Sequence, residues 1–545
     1  MSVITQAFLQ YEKQQPNVLF LHQPMETGVR TWTWKQAGQE ARKITAALQG
    51  LGLQKGDRVA LLSKNCAEWI LADLAMLLGG FVSVPLYATI TAPSIRMLLE
   101  HSGSKAVIIG KLDYFEEQSA GLMPDIPSIF IGAYGHDESL LWENLLDKYE
   151  PVTAVENSDS PETLLTIIYT SGTTGKPKGV MHTVKTIDAT MTANRHIGIP
   201  KGVRTFSFLP LSHIAERVGI EFSTIVNGGT IHFSHSLERF GSDLSAIQPD
   251  LFFAVPRIWA KFREKVNEKL PDQKLERLLK IPIIRSLVKK KIQKGMGLSK
   301  AKLIFSGAAP ISVDMILWYQ KIGIEILQAY GMTEDCILGH FNLPGHNKFG
   351  TVGRPLPGLD VRISEEGEIQ VKSGGHTVGY YREPEQTADL FTEDGYLKTG
   401  DEGACDTEGY LTITGRTKDL FKTDKGKYIA PAPIEMRLTD DNDIEQACVV
   451  GMGIPQPIGL VVLSKSVLHP QQEEMAVRLT KIVKRINQQL EHHERLEKMV
   501  VMQQPWTIEN GLMTPSFKVK RNEVEKMYRD QYVEWFHKTE KIIWL

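Results

Sequence analysis

The stretch Tyr169-Thr-Ser-Gly-Thr-Thr-Gly-Lys-Pro-Lys-Gly-Val180 is built almost entirely from groups that can donate to a phosphate. Glycines 172, 175 and 179 let the backbone approach a ligand closely and turn its N–H groups inward as an anion nest. Ser171, Thr173 and Thr174 add hydroxyl donors, and Lys176 and Lys178 add positive charge. The apolar run Leu164-Leu-Thr-Ile-Ile ahead of the loop reads as a buried strand that ties one end of it to a core. An ordinary surface loop can share this composition, but the strand lead-in and the lysines around Pro177 favour phosphate binding. The spacing is not that of a Walker A loop, which needs four residues between its glycines and Ser or Thr after the lysine. Here two residues separate Gly172 from Gly175, and Pro177 follows Lys176.

Two later segments could complete a nucleotide site. In Gln328-Ala-Tyr-Gly-Met-Thr-Glu334, Tyr330 can stack on a base, Thr333 can bond a phosphate and Glu334 can hold Mg²⁺. In Tyr396-Leu-Lys-Thr-Gly-Asp401, read as a loop after a short strand, the two oxygens of Asp401 match two ribose hydroxyls. The run Lys302-Leu-Ile-Phe-Ser-Gly-Ala-Ala-Pro310 reads as a strand entering a turn of small residues, which leaves room for a flat base or an acyl tail. His213, after a strand at 205–209, is on its own more often a structural residue than a catalytic one.

Taken together and in this order, these segments closely resemble the adenylate-forming (AMP-binding) superfamily, and the resemblance runs from about Trp32 to Arg521. It implies that ATP activates a carboxylate as an acyl adenylate, with pyrophosphate leaving. It assigns Thr170, Ser171, Gly172, Thr173, Thr174, Gly175, Lys176 and Lys178 to the phosphates, and Ala308, Tyr330 and Gly331 to the nucleotide. By the same resemblance Thr333 meets the α-phosphate, Glu334 the Mg²⁺, and Asp401 and Arg416 the ribose. Leu209-Pro-Leu-Ser-His-Ile-Ala-Glu-Arg217 is similar to a segment of long-chain fatty acyl-CoA synthetases in which the histidine, here His213, orients the carboxylate. Glu216 and Arg217 are read as pairing with each other, with no catalytic role. Near the end, Asn510-Gly-Leu-Met-Thr-Pro-Ser-Phe-Lys-Val-Lys-Arg521 resembles the catalytic-lysine segment. Lys518 matches best, but Phe517 stands where many members carry glycine, which leaves Lys520 as a rival.

The implied activity is that of an ATP-dependent acyl-CoA synthetase using ATP, Mg²⁺ and CoA on a medium- or long-chain fatty acid. Rivals within the superfamily are an aryl-CoA ligase, a fatty-acyl-AMP ligase and an amino-acid adenylation enzyme. The last is disfavoured because the Pro210-Leu-Ser-His213 region of this sequence offers no aspartate to meet a substrate amine. A P-loop kinase or ATPase is disfavoured by the glycine spacing, and a non-catalytic lipid binder by the completeness of the motifs.

These residues need a scaffold. Strands read at 31–34, 58–62, 81–84 and 104–109 alternate with helices after Trp34, at 67–78 and from Pro93, which points to α/β architecture with doubly wound sheets. At 545 residues more than one domain is expected. The resemblance divides the chain into a large N-terminal domain, 1–415, and a small mobile α+β domain, 416–545, with Lys418 at the hinge. In the latter, strands are read at 444–452 and 460–463, and helices at 473–490 and 518–536.

A net charge of −2 and a pI of about 6.8 give no global bias toward nucleic acid. Cys66, Cys336, Cys405 and Cys448 are scattered without a CxxC pair, which fits a reducing compartment. With no basic-then-apolar leader at the N-terminus, a cytoplasmic protein is expected. Residues 274–302 hold ten Lys or Arg and one acidic residue, Glu276, interleaved with aliphatic side chains. Two readings stand: peripheral contact with the cytoplasmic face of an anionic membrane, or a solvated helix whose apolar face packs on its own domain. Oligomeric state is open.

Overall fold

The computed structural model describes residues 1–137, 140–155, 160–170, 177–236, 238–464, 472–508, 510–514 and 518–545. The short apolar runs of the N-terminal half become buried strands. Arg58–Leu62 pairs in parallel with Val82–Leu86 on one side and Ala106–Ile109 on the other. Among the described residues this sheet has six strands and is extended by Ser128–Phe130 at one edge and by Leu164–Thr170 and Lys178–Thr183 at the other. Only the last pair is antiparallel.

A second sheet of nine described strands is parallel through Leu327–Tyr330, Leu303–Ser306, Leu251–Ala254, Arg204–Ser207, Thr230–Phe233 and Leu19–Pro24. Helix Ala67–Gly79, buried at every residue, packs against strands of both sheets and against helix Trp34–Gly50. Apart from the buried Glu68 and Asp73 its side chains are apolar, so the helix has no solvent face to offer and sits between layers. The chain thus adopts the expected α/β architecture of a large N-terminal domain followed by a smaller C-terminal one.

Four antiparallel strands, Asp360–Ile363, Glu368–Lys372, Leu397–Cys405 and Leu411–Arg416, lead toward the C-terminal region. There, Ile444–Val450, Ile458–Leu463, Lys498–Val501 and Ile542–Trp544 form a mixed sheet. Strand alternation sorts its side chains. Val449, Val461 and Val501 cluster with Leu479, Ile482 and Ile486 of helix Gln472–Asn487. Val450, Leu460 and Val500 cluster with Val524, Tyr532 and Trp535.

Three expectations give way. Asp401 lies inside the nine-residue strand Leu397–Cys405 and not on a loop, because the strand runs on to pair with Leu411–Arg416. The final helix is split into Arg521–Tyr528, a 3₁₀ turn Arg529–Gln531 and Tyr532–His537. The tighter turn rotates the second piece so that Tyr532 and Trp535 reach the same core as Val524. Glu216 and Arg217 do not pair with each other, for reasons given below. The basic segment forms two helices, Asp272–Leu279 and Pro282–Gly295, with Pro282 opening the second, where its missing N–H costs nothing.

Candidate active site

A cleft of about 1650 Å³ is lined by residues of both the N-terminal sheets and the C-terminal region. A single small-molecule pocket usually measures roughly 300–1000 Å³, so there is room for a nucleotide and a second ligand together. Thr170, Lys178, His213, Ala308, Tyr330, Gly331, Thr333, Glu334, Asp401, Arg416, Lys418 and Lys518 all line it. Ser171, Gly172, Thr173, Thr174, Gly175 and Lys176 lie outside the described residues. Their flanks are nevertheless fixed, since Thr170 and Lys178 are directly opposite each other in an antiparallel pair. That register holds both ends of the glycine-rich stretch at the cleft wall.

The segment after strand Leu327–Tyr330 is shaped by backbone strain. Cys336 and Ile337 adopt φ of +56° and +52°, a region that costs residues with a Cβ, most of all β-branched ones. A Cβ on Gly331 would stand 2.9 Å from the Ile337 Cα, so the turn closes only over glycine. Asp335 Oδ1 accepts from the Met332 N–H at 2.9 Å, and the ring Nε2 of buried His182 donates to the Thr333 carbonyl at 2.8 Å. These contacts set Thr333 and Glu334 at the cleft. Burial raises the Glu334 carboxyl above its ordinary value, opposed by the hydrogen bond that the Tyr380 hydroxyl donates to Glu334 Oε1 at 2.9 Å. The Lys178 ammonium lies 4.7 Å from the centre of the Tyr380 ring, so Tyr380 bridges the loop flank and Glu334.

Asp401 and Arg416 face each other across the antiparallel pair, with Arg416 Nε 3.4 Å from Asp401 Oδ1. The Tyr330 hydroxyl donates to Asp401 Oδ2 at 2.7 Å, which fixes the ring at the cleft. Burial raises the Asp401 carboxyl, while Arg416, Tyr330 and Lys518 pull it back toward ionisation. Ala308, in the turn after Leu303–Ser306, also has a left-handed φ of +65°.

His213 caps the short helix Ile214–Glu216, its Nδ1 accepting from the Ala215 N–H at 3.2 Å. Desolvation, and then the charge of Lys518, push its pKa down to about 4, so the ring is neutral at physiological pH. With Nδ1 acting as acceptor, the proton belongs on Nε2, which is then the donor available to a ligand. Lys518 lies on the stretch before helix Arg521–Tyr528. It keeps contact with the cleft's solvent, yet the protein around it lowers its pKa, chiefly by burial and then by the charge of Arg416. Lys520 instead caps that helix, its N–H donating to the Leu512 carbonyl at 2.8 Å, and it is not among the residues lining the cleft.

Glu216 accepts from the Ser207 hydroxyl at 2.8 Å and the Phe208 N–H at 2.9 Å. Arg217 donates to both oxygens of Asp73 at 2.6 and 2.7 Å and to the Thr166 hydroxyl at 2.6 Å. Each finds its partners in strands and helices beneath the site and not in the other, although Glu216 Oε2 and Arg217 Nε are left without a hydrogen bond. Arg217 thereby braces strand Leu164–Thr170 against the segment that carries His213.

Several contributors carried no signal in the sequence. Tyr380 meets Glu334 across 46 positions, and Arg257 on helix Pro256–Lys269 meets Glu445 of the C-terminal sheet across 188, with Nη2 to Oε1 at 2.7 Å. Such distant pairs have no local motif. Among the described residues no group of three or more His, Cys, Asp or Glu could hold a metal ion. A lone carboxylate beside a threonine hydroxyl nonetheless suits Mg²⁺, a hard ion that takes its remaining ligands from water and phosphates. No helix among the described residues is long and apolar enough to cross a membrane.

Comparison with known proteins follows the same lines. The model of the AMP-binding enzyme family matches residues 8–381, and that of the AMP-binding enzyme C-terminal domain matches 418–540. A long-chain-fatty-acid–CoA ligase of Mycobacterium bovis is 29% identical, over 95% of this chain and 94% of its own. Long-chain-fatty-acid–CoA ligase 5 of Mus musculus is 28% identical, over 93% of this chain and 84% of its own. The A domain of a carboxylic acid reductase from Segniliparus rugosus, solved with AMP and a co-purified carboxylic acid, superposes with a TM-score of 0.81 at 19% identity. It covers 97% of this chain and 93% of that one. The o-succinylbenzoate CoA synthetase of Bacillus subtilis, solved with its acyl-adenylate intermediate, gives 0.74 at 24% identity, over 95% and 97%.

Proposed function

Since the chain belongs to the AMP-binding enzyme family, we propose that it is an ATP-dependent, AMP-forming acyl-CoA synthetase that activates a medium- or long-chain fatty acid and passes it to CoA. The observation that carries this reading is the convergence of Lys518 from the C-terminal region with His213, Asp401 and Arg416 in one cleft. Long-chain-fatty-acid–CoA ligases similar over most of the chain's length support the substrate class. So do the apolar residues Ile214, Phe253 and Ile337, which line the same cleft as His213. At Gly219, which lines the cleft, an added Cβ would meet no atom within 4 Å, so open space stands there for an acyl tail.

In the first half-reaction a carboxylate oxygen attacks the α-phosphorus of ATP and pyrophosphate departs. The neutral His213 offers Nε2–H to the carboxylate and orients it. Asp401 and Arg416 hold the ribose, Tyr330 and Ala308 border the base, and the 170–178 stretch binds the departing phosphates. Thr333 and Lys518 stabilise the charge that builds on the α-phosphate. Mg²⁺ held by Glu334 would supply charge neutralisation for the phosphates.

In the second half-reaction the CoA thiol attacks the acyl carbon and expels AMP. One arrangement cannot present both Lys518 and a pantetheine arm to the same small volume, so on this family-based reading the C-terminal domain, which we place at 416–545, turns about Lys418 relative to 1–415. The test is pyrophosphate release across a panel of acids, with and without CoA. Fatty-acid-dependent pyrophosphate and AMP, with thioester formed only when CoA is present, is the expected result. Release of ADP would refute adenylation, adenylate that never reaches CoA would mark a fatty-acyl-AMP ligase, and a preference for aromatic acids an aryl-CoA ligase.

A further inference from the structure

The basic segment that follows helix Pro256–Lys269 divides its apolar residues between two directions. Leu275 is buried, and Leu279, Val288 and Ile292 pack on the neighbouring core, which satisfies the reading of a helix packed on its own domain. Ile281, Ile283 and Leu287 are left 46, 80 and 65% exposed. In helix Pro282–Gly295, Ile283 and Leu287 lie one turn apart on a single face, and Lys290, Lys291 and Lys294 continue that face. The only acidic residue of 274–302, Glu276, is already 3.1 Å from Lys321. Among the described residues no carboxylate forms an ion pair with Lys280, Arg285, Lys289, Lys290, Lys291 or Lys294.

This corner is held in place. Asp272 accepts from the Trp318 indole N–H at 2.7 Å and lies 3.2 Å from Arg263. Single exposed aliphatic residues are ordinary. Here three of them lie among unpaired cations on a chain whose net charge is −2, so the like charges repel one another while apolar area is left in water with no gain to the fold. A lipid headgroup region resolves both costs, because aliphatic side chains enter the acyl boundary while lysines reach the phosphates. Nucleic acid would leave the aliphatic side chains wet, and 274–302 contains no aromatic residue on which a base could stack.

We propose that residues 280–294 form a docking surface for an anionic lipid bilayer, with Ile281, Ile283 and Leu287 inserted and Lys290, Lys291 and Lys294 on the headgroups. This surface is independent of the catalytic reading, since docking needs neither ATP nor an acid, and it would survive a failed pyrophosphate assay. The test is co-sedimentation of the full chain with vesicles of phosphatidylcholine alone or mixed with phosphatidylglycerol, at low and high salt. The wild-type protein should bind the mixed vesicles, and binding should weaken with salt. Reversing Lys290→Glu, Lys291→Glu and Lys294→Glu together should lower partitioning by roughly a hundredfold. Ile283→Ser with Leu287→Ser should lower it by roughly tenfold. Both variants should keep wild-type pyrophosphate release on a short, water-soluble acid. Absence of wild-type binding, equal binding to neutral vesicles, or variants that bind like wild type would overturn the proposal. So would sedimentation equilibrium showing a wild-type dimer that Ile283→Ser with Leu287→Ser dissolves, because the face would then belong to a second copy.

Discussion

Replacing Arg257 with alanine should slow adenylate formation about fivefold while sparing thioester formation from supplied acyl-AMP. Arg257 ties the cleft-lining helix Pro256–Lys269 to the C-terminal sheet through Glu445 at 2.7 Å. The two side chains are 27 and 21% exposed, between a surface pair and a buried one. Surface pairs are worth up to about 1 kcal/mol, and breaking a buried pair costs roughly 3–5. Solvent reaches both partners here, so the lower figure applies, and about 1 kcal/mol is about fivefold in the balance between domain arrangements.

On the proposed mechanism only the arrangement with Lys518 in the cleft supports adenylation, so the loss should appear in fatty-acid-dependent ATP–pyrophosphate exchange. The conversion of acyl-AMP and CoA to thioester, measured separately, should hold or rise. Glu445→Ala should behave alike, and the double variant should be little worse than either single one, as expected for two halves of one contact. Equal loss in both half-reactions, or full additivity, would show that the pair does not hold this domain orientation.

Lys518→Ala should cut adenylation by roughly a hundred- to a thousandfold, as losing one donor to a developing charge does, and leave supplied acyl-AMP convertible. If Lys520→Ala shows that pattern instead, the lysine assignment moves by two positions. Tyr380→Phe keeps the ring against Lys178 and removes only the hydroxyl bonded to Glu334. A hydrogen bond to a charged group is worth about 1.5–3 kcal/mol, so Mn²⁺ binding in the presence of ATP, read by electron paramagnetic resonance, should weaken about tenfold or more. Unchanged ion binding would remove Tyr380 as the residue positioning Glu334.

The pH profile of kcat/KM for adenylation should carry an alkaline limb below the ordinary lysine value. In the proposed role Lys518 works as the ammonium, and burial and Arg416 lower its pKa, so activity should fall as pH rises through that value. His213, with a pKa of about 4, is neutral across the range from pH 5 upward and should contribute no acid limb near 6.5. An acid limb at 6.5 that disappears in His213→Gln would contradict this.

Local chemistry was legible because it is written in short windows. Apolar runs such as Ala106-Val-Ile-Ile109 can be satisfied only by burial on both faces, so they announce a parallel sheet wherever they fall. The Tyr169–Val180 and Gln328–Glu334 stretches likewise concentrate their donors within a few residues, and the family they point to is the one the chain belongs to. Boundaries held less well where a neighbour decides them. Strand Leu397–Cys405 runs past Asp401 because Leu411–Arg416 is there to pair with it, and the last helix breaks because Tyr532 and Trp535 must reach a core built elsewhere.

Pairs between distant residues were decided by the tertiary structure alone. Whether Arg217 meets Glu216 or Asp73 depends on a helix 144 positions away, and whether Glu334 has a hydroxyl partner depends on Tyr380. The same holds for the basic segment, whose composition allowed both an inward and an outward face until folding buried Leu275 and left Ile283 in solvent. Composition and spacing determine which groups a chain carries and which short elements it forms. Which groups share a dielectric environment, and so which are charged, paired or exposed, is set only when separate elements close on one another.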